Sequence, residues 1–268
     1  GGCLDRIRES WAIHREPGER HALAGMRVAL EAFSAWMTRW ADAAAARGDR
    51  EMAAAARWVA EKPPRTFREA LQLVAFTHLA FESEGRGAMA LGRLDQYLLG
   101  FYRRDIEAAI LTRAEALDLL CHLWVKLAEN EGVQNICIGG QTPAGKDGTN
   151  ELSFLALEAT RLVQSPFTNL SARFHDGTPE PFYKACFEVI RTGIGFPAIF
   201  NDHVLIPGLV AIGVPIETAR DHCMVGCIET MLPGRQQAWS DSRYNMPLML
   251  MNAMARVRPR TDRTYALL

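Results

Sequence analysis

The chain has 268 residues, 49% of them apolar and 23% charged, which is enough apolar material for a large core and excludes a disordered or collagen-like polymer. Thirty Lys plus Arg against 31 Asp plus Glu leave a formal charge of -1, so there is no broad positive field for a phosphate backbone and nucleic acid is not an expected partner. The longest apolar stretches, such as 71–81, are about half the roughly 20 residues of a membrane span, and the opening Gly-Gly-Cys-Leu-Asp-Arg has neither a secretory core nor an initiator Met; a cytoplasmic protein, or a fragment of one, without membrane contact is expected.

In chain order, the first 130 residues read as helices. Met26, Leu30, Phe33, Met37 and Trp40 follow the four-then-three spacing of one helical face, and Gly48 closes that element. The Ala-rich tract from Ala41 to Ala56 reads as a solvent-side helix junction. Pro63-Pro64 forces a break, after which Thr66-x-x-Glu69 and later Thr112-x-x-Glu115 have the form of capping boxes that start new helices. Gly85, Gly87, Gly92 and Gly100 between them signal a loop. Beyond residue 130 the texture changes: short apolar runs at 135–138, 169–174 and 198–200 alternate with helical stretches at about 150–164 and 180–192, the pattern of an α/β arrangement.

Six cysteines, at 3, 121, 137, 186, 223 and 227, lack the density of a disulfide scaffold and are expected to be reduced. Cys223 and Cys227 have no second pair to complete a zinc ribbon, and no metal site is expected. His78 and His122 lie within helical apolar patterns and read as core residues.

Two segments could carry chemistry. Gly140-Gln-Thr-Pro-Ala-Gly145-Lys146-Asp147 approaches the phosphate-loop pattern, but Asp147 replaces the magnesium-binding hydroxyl and Pro143 removes a cradling N–H; a plain glycine-rich turn competes with a nucleotide loop. In Val225-Gly226-Cys227-Ile228-Glu229-Thr230, Cys227 and Glu229 are two apart and in an extended segment would face one side, a thiol and a carboxylate reaching one substrate. A buried structural Cys beside a salt-bridged Glu is the alternative. A conventional cysteine hydrolase would need a His near the thiol, and His203 and His222 are the nearby choices, neither at a recognisable spacing.

Taken in order, Pro64 to Leu71, Gly92-Arg-Leu-Asp-Gln-Tyr97, Ile138 to Asp147, Asn150-Glu-Leu-Ser153, Asn201-Asp202, Ile206-Pro207, Ala219-Arg-Asp221 and Val225-Gly-Cys-Ile-Glu229 resemble a glycyl radical enzyme of the pyruvate formate-lyase superfamily over roughly residues 60–252. The resemblance implies an α/β fold: a mainly helical part at 1–130 followed, at 131–268, by part of a ten-stranded α/β barrel that holds the cysteine loop inside. It also implies that Cys227 becomes a thiyl radical and takes a hydrogen from substrate, that Glu229 moves a proton as water or another group leaves, and that the glycyl radical is installed by a radical S-adenosylmethionine activase. A full-length homodimer in anaerobic metabolism and a small-molecule substrate follow from the same likeness.

Ile228 after Cys227, where the acyl transferase resembles a Cys-Cys pair, indicates the lyase and dehydratase branch; a formate acetyltransferase-like C-acyltransferase and a non-catalytic helical scaffold are the alternatives. Asp241 and Tyr244, in Trp239 to Asn245, resemble substrate-pocket contacts, with a hydrogen-bonded turn as the competing reading. At 82–87 the chain reads Glu-Ser-Glu-Gly-Arg-Gly where diol-dehydrating members resemble Glu-Ser-Asn-Gly-His-Ser, and an inward Arg86 would suit a carboxylate or sulfonate. Nothing similar to the family's C-terminal Arg-Val-x-Gly-Tyr loop is present, so a truncated frame or one member of a split enzyme, inactive and poorly soluble alone, is expected.

Overall fold

In the strand Val-Gln-Asn-Ile-Cys-Ile-Gly at 133–139 the side chains alternate between two unlike faces. Ile136 and Ile138 enter the main apolar core, whereas Asn135 and Cys137 turn to the opposite face together with their register partners Asn169 and Ser171. A parallel sheet needs cover on both faces, and here one cover is apolar and the other polar.

The computed structural model describes residues 2–85, 87–129, 132–236 and 245–257. Helices α1 (Gly2–Ile13), α2 (Pro17–Ala46), α3 (Arg50–Val59) and α4 (Phe67–Ser83) come first, then β1 (Ala88–Gly92), α5 (Leu94–Tyr97), α6 (Leu99–Glu107) and α7 (Arg113–Ala128). The α/β part follows as β2 (Val133–Gly139), α8 (Glu151–Val163), β3 (Thr168–Phe174), α9 (Glu180–Val189), β4 (Ala198–Asn201), α10 (Asp202–Ala211), α11 (Ile216–Arg220), β5 (Cys223–Val225) and β6 (Glu229–Met231). Strands β1 to β4 form a parallel sheet in sequence order, and β5 and β6 form an antiparallel hairpin. Gly1–Pro233 is one compact unit; Gly234–Leu268 is a second, whose described helix α12 (Met246–Val257) is started by Asn245, which accepts from Leu248 N–H at 3.0 Å.

The apolar cover comes from α7, α8 and α9. Leu120 and Trp124, Leu152, Leu155 and Ala159, and Phe182 and Cys186 all pack into the core that receives Ile136, Ile138, Leu170 and Ala172. Trp124 satisfies its indole N–H on Thr160 Oγ1 at 2.9 Å, as a buried indole must. A second core joins α2, α3 and α4 through Met37, Ala41, Ala56, Val59 and Phe76.

Several expectations are corrected here. The Ala-rich tract is the tight α2–α3 interface, with Ala41 and Ala56 fully buried, because only small side chains let the two helices approach. The stripe on α2 is buried at Met37 but Met26 and Trp40 stay exposed. The glycine-marked segment is not a loop: it contains β1, which ends on Gly92, then α5 and the start of α6, which includes Gly100. Thr112 and Glu115 form a reciprocal capping box, but at Thr66 only half forms: Thr66 accepts from Glu69 N–H, while the Glu69 carboxylate goes to Arg65 N–H at 2.6 Å and to the Arg65 guanidinium. His122 is exposed beside Asp118, so of these two only His78, buried and 3.0 Å from Glu82, is a core residue. The segment 140–148 closes on itself as a turn, with Thr142 N–H on Lys146 C=O and Gly145 N–H on Thr142 C=O, both 2.8 Å; no helix N-terminus is offered until Glu151.

Candidate active site

The polar face of the sheet carries the β5–β6 hairpin, since β5 packs against β1 and β2. Its turn is Gly226-Cys227-Ile228. Cys227 is therefore at the tip of a turn and Glu229 opens the returning strand, so the pair does not lie on one extended face as the spacing alone suggests. The Glu229 carboxylate nevertheless folds back into the turn, where it accepts the Ile228 N–H at 3.0 Å. Gly226 is needed beneath it. Its φ is +57°, and a Cβ there would lie 3.0 Å from Glu229 Oε2, so a side chain would meet both backbone strain and the carboxylate.

Cys227 differs from the other cysteines of this region. Burial pushes the Cys137 thiol up to about 11 and the Cys186 and Cys223 thiols up to about 12, which makes them inert packing groups. Cys227 is exposed at its turn. Neither histidine proposed as its partner is committed to it: His203 pairs with Asp176 at 2.8 Å, and His222 is buried on Ala219 C=O at 2.8 Å.

Two arginines fasten the base of this hairpin. Fully buried Arg173, at the polar end of β3, donates to both oxygens of fully buried Asp202 at 2.8 and 2.9 Å, to His222 C=O at 2.7 Å and to Arg220 C=O at 2.9 Å. Asp202 also accepts the Gln141 N–H at 2.8 Å. Gly140, at φ +73°, leaves space for the guanidinium; a Cβ would come within 2.7 Å of the Arg173 side chain. Arg93 donates to Asp221 Oδ1 at 2.9 Å and to Gly139 C=O at 3.1 Å. Asp95, two residues on, accepts from Gly139 N–H at 2.8 Å and Ser153 Oγ–H at 2.6 Å, and burial raises its pKa despite these bonds. Burial, aided by the Arg173 charge, lowers His222 to about 4, so it is neutral near pH 7.

Nearest the cysteine, the backbone of Gly226 is held from three strands. Its N–H donates to Met89 C=O of β1 at 3.3 Å, and its C=O accepts from Asn135 Nδ2 of β2 and Asn169 Nδ2 of β3, each at 3.4 Å. Asn135 Nδ2 also reaches Cys227 C=O at 3.4 Å. The segments Gly92–Tyr97 and Asn201–Asp202 are visible as motifs, but their work of clamping the hairpin is not. Asn135, Asn169 and Arg173 are marked only by their polarity inside strand-like runs. Of the remaining expected contacts, Arg86, Asp241 and Tyr244 lie outside the described residues.

The family model Pyruvate formate lyase-like matches residues 4–265, and the chain belongs to that family, which is one of glycyl radical enzymes. The chain is 38% identical over 197 residues to Probable dehydratase YbiW of Escherichia coli K12, covering 66% of this chain and 24% of that one. It is 34% identical over 255 residues to the isethionate sulfite-lyase of Oleidesulfovibrio alaskensis, covering 84% of this chain and 31% of that one. Among solved structures, a glycyl radical enzyme from Archaeoglobus fulgidus superposes with a TM-score of 0.78 at 28% identity, covering 86% of this chain and 33% of that one. The glycerol-bound B12-independent glycerol dehydratase from Clostridium butyricum gives 0.76 at 29% identity, covering 89% and 34%. The chain thus spans about a quarter to a third of the relatives it matches. The mixed α/β fold with its parallel sheet is the portion of the barrel shared with those structures. No described helix is long and apolar enough to cross a membrane.

Proposed function

We propose that this chain carries the cysteine half of the active site of a glycyl radical lyase of the dehydratase type, with Cys227 the hydrogen-abstracting residue and Glu229 the proton-transfer group. The observation that carries the proposal is the Gly226–Ile228 turn over the polar face of the sheet, which bears an exposed cysteine and into which the Glu229 carboxylate folds back. Membership of the glycyl radical family and the dehydratase and lyase names of its relatives support the same reading.

The glycyl radical, installed by a separate radical S-adenosylmethionine activase, supplies the hydrogen-atom abstraction that converts the Cys227 thiol to a thiyl. Cys227, unlike Cys137 and Cys223, does not pack into the core, and in the part of the barrel that this chain holds it is exposed where the resemblance implies enclosure. The Cys227 sulfur then forms an S–H bond as a substrate C–H bond breaks, leaving one unpaired electron on carbon. Glu229 takes a proton from a neighbouring hydroxyl, or gives one to a departing hydroxyl, as the bond to the leaving group breaks. Return of the hydrogen from Cys227 to the product carbon regenerates the thiyl. Both residues belong to one short turn and its returning strand, so a thiol and a carboxylate are offered to one substrate.

For substrate we propose a small hydroxy compound bearing a sulfonate or carboxylate, read by Arg86, with water or sulfite leaving. Relatives named isethionate sulfite-lyase and (2S)-3-sulfopropanediol dehydratase support the anionic class. Asp241 and Tyr244 are proposed as further substrate contacts, and the intact protein as a cytoplasmic homodimer. The test is to activate the intact protein anaerobically and offer isethionate, (2S)-3-sulfopropanediol, trans-4-hydroxy-L-proline, 1,2-propanediol and glycerol. Turnover of an anionic member, lost in Cys227→Ser, is expected; turnover of neutral diols alone would overturn the substrate class, and turnover by Cys227→Ser would overturn the mechanism.

A further inference from the structure

Asparagine is a poor strand residue, yet Asn135 and Asn169 are register partners on adjacent strands of the parallel sheet. Asn135 is fully buried, and its Oδ1 has no hydrogen-bond partner among the described residues. A buried acceptor left unpaired is destabilising, so an apolar or smaller residue would serve the sheet better. What the pair provides is donors. Asn135 Nδ2 faces the carbonyls of Gly226 and Cys227, and Asn169 Nδ2 faces that of Gly226, all at 3.4 Å. Rotating the Asn135 amide would set its oxygen against two carbonyl oxygens, so the network fixes its orientation.

The geometry has a consequence for the thiol. The Gly226 carbonyl lies in the peptide plane before Cys227 and the Cys227 carbonyl in the plane after it. Fixing both planes fixes the φ and ψ of Cys227 and hence the direction of its Cα–Cβ bond. Each contact is long and individually weak, but Met89 C=O holds the Gly226 N–H as well, so β1, β2 and β3 all act on one residue.

We propose that Asn135 and Asn169 are positioning residues that aim the Cys227 thiol by holding the two peptide planes on either side of it. The assignment rests on the reading of Cys227 as the hydrogen-abstracting residue. Its test compares Asn169→Ala, Asn135→Ala and the carboxamide-retaining Asn169→Gln in the intact protein, by hydrogen exchange of the segment 224–230 before activation and by kcat and KM after it. Removing either donor is expected to speed exchange in that segment by about tenfold, with the sheet strands unchanged. The kcat is expected to fall by up to about 10²-fold with KM unchanged, and Asn169→Gln to recover part of both. Asn169 is only partly buried, so Asn169→Ala carries the test if Asn135→Ala does not fold. Unchanged exchange in 224–230 overturns the proposal, as does faster exchange with unchanged kcat. Activity in Cys227→Ser overturns the radical reading instead, and the exchange result identifies which of the two has failed.

Discussion

Replacing Arg173 with methionine keeps most of the side-chain volume and removes the charge on which the base of the cysteine hairpin is fastened. In the wild type that guanidinium makes two bonds to Asp202 and one each to the His222 and Arg220 carbonyls. Without it Asp202, fully buried, keeps the Gln141 N–H but loses its counter-charge. Breaking a buried ion pair by deleting one partner costs about 3–5 kcal/mol, because the remaining charge is stranded, whereas replacing both partners with apolar groups can be nearly neutral. At about 2–4 °C per kcal/mol for a chain of this size, Arg173→Met should lower the melting temperature by about 6–20 °C. Arg173→Met combined with Asp202→Leu should recover most of that loss. The assay is thermal unfolding followed by far-UV circular dichroism on wild type, the single variant and the double. If the single variant melts with the wild type, or the double melts below the single, the view of the pair as a mutually dependent clamp is refuted.

Three further variants probe the turn and its support. Glu229→Gln keeps an oxygen for the Ile228 N–H but cannot move a proton at neutral pH, so product formation should fall by about 10²–10⁴-fold with little change in melting; product assays beside melting curves check both. Gly226→Ala places a side chain at φ +57° and 3.0 Å from Glu229 Oε2, costing about 1–2 kcal/mol in backbone strain and displacing the carboxylate, so activity should fall further than stability. His222, lowered to about 4 by burial and by Arg173, is neutral in the fold while the unfolded chain binds its proton below about 6.5. The contribution of His222 to stability is therefore full above about pH 6.5 and lost as pH falls toward about 4. Urea midpoints measured from pH 7 to 4 should show this slope reduced in His222→Asn, which can still donate to Ala219 C=O.

How far the sequence discloses this site can be judged residue by residue. Cys227 and Glu229 are legible because the turn is local: four successive residues carry the glycine, the thiol and the carboxylate. The strands at 133–139, 168–174 and 198–201 and the helices between them are legible from alternation and caps, since both arise from neighbours in the chain. The helical span from 17 to 46 is likewise clear, but the depth of burial along it is not, because Met37 is covered and Met26 is not by contacts distant in sequence. The same reason hides β1, whose five residues look like a loop until Val133–Ile136 pair with them. Arg93, Asn135, Asn169 and Arg173 act on residues 29 to 128 positions away; Arg93 stands in a visible motif, and for the other three polarity within a strand-like run is the local sign. The extended-face geometry expected for Cys227 and Glu229 was altered by a three-residue turn that spacing alone does not reveal.

Wild type and Cys227→Ser are to be compared after anaerobic activation of the intact protein. Electron paramagnetic resonance would record the glycyl radical, and product would be assayed with an anionic hydroxy substrate such as isethionate. A comparable radical signal is expected in both proteins and product from the wild type alone, because the serine hydroxyl cannot relay the hydrogen that the thiol does. Equal product formation by Cys227→Ser would contradict the hydrogen-abstracting role of Cys227.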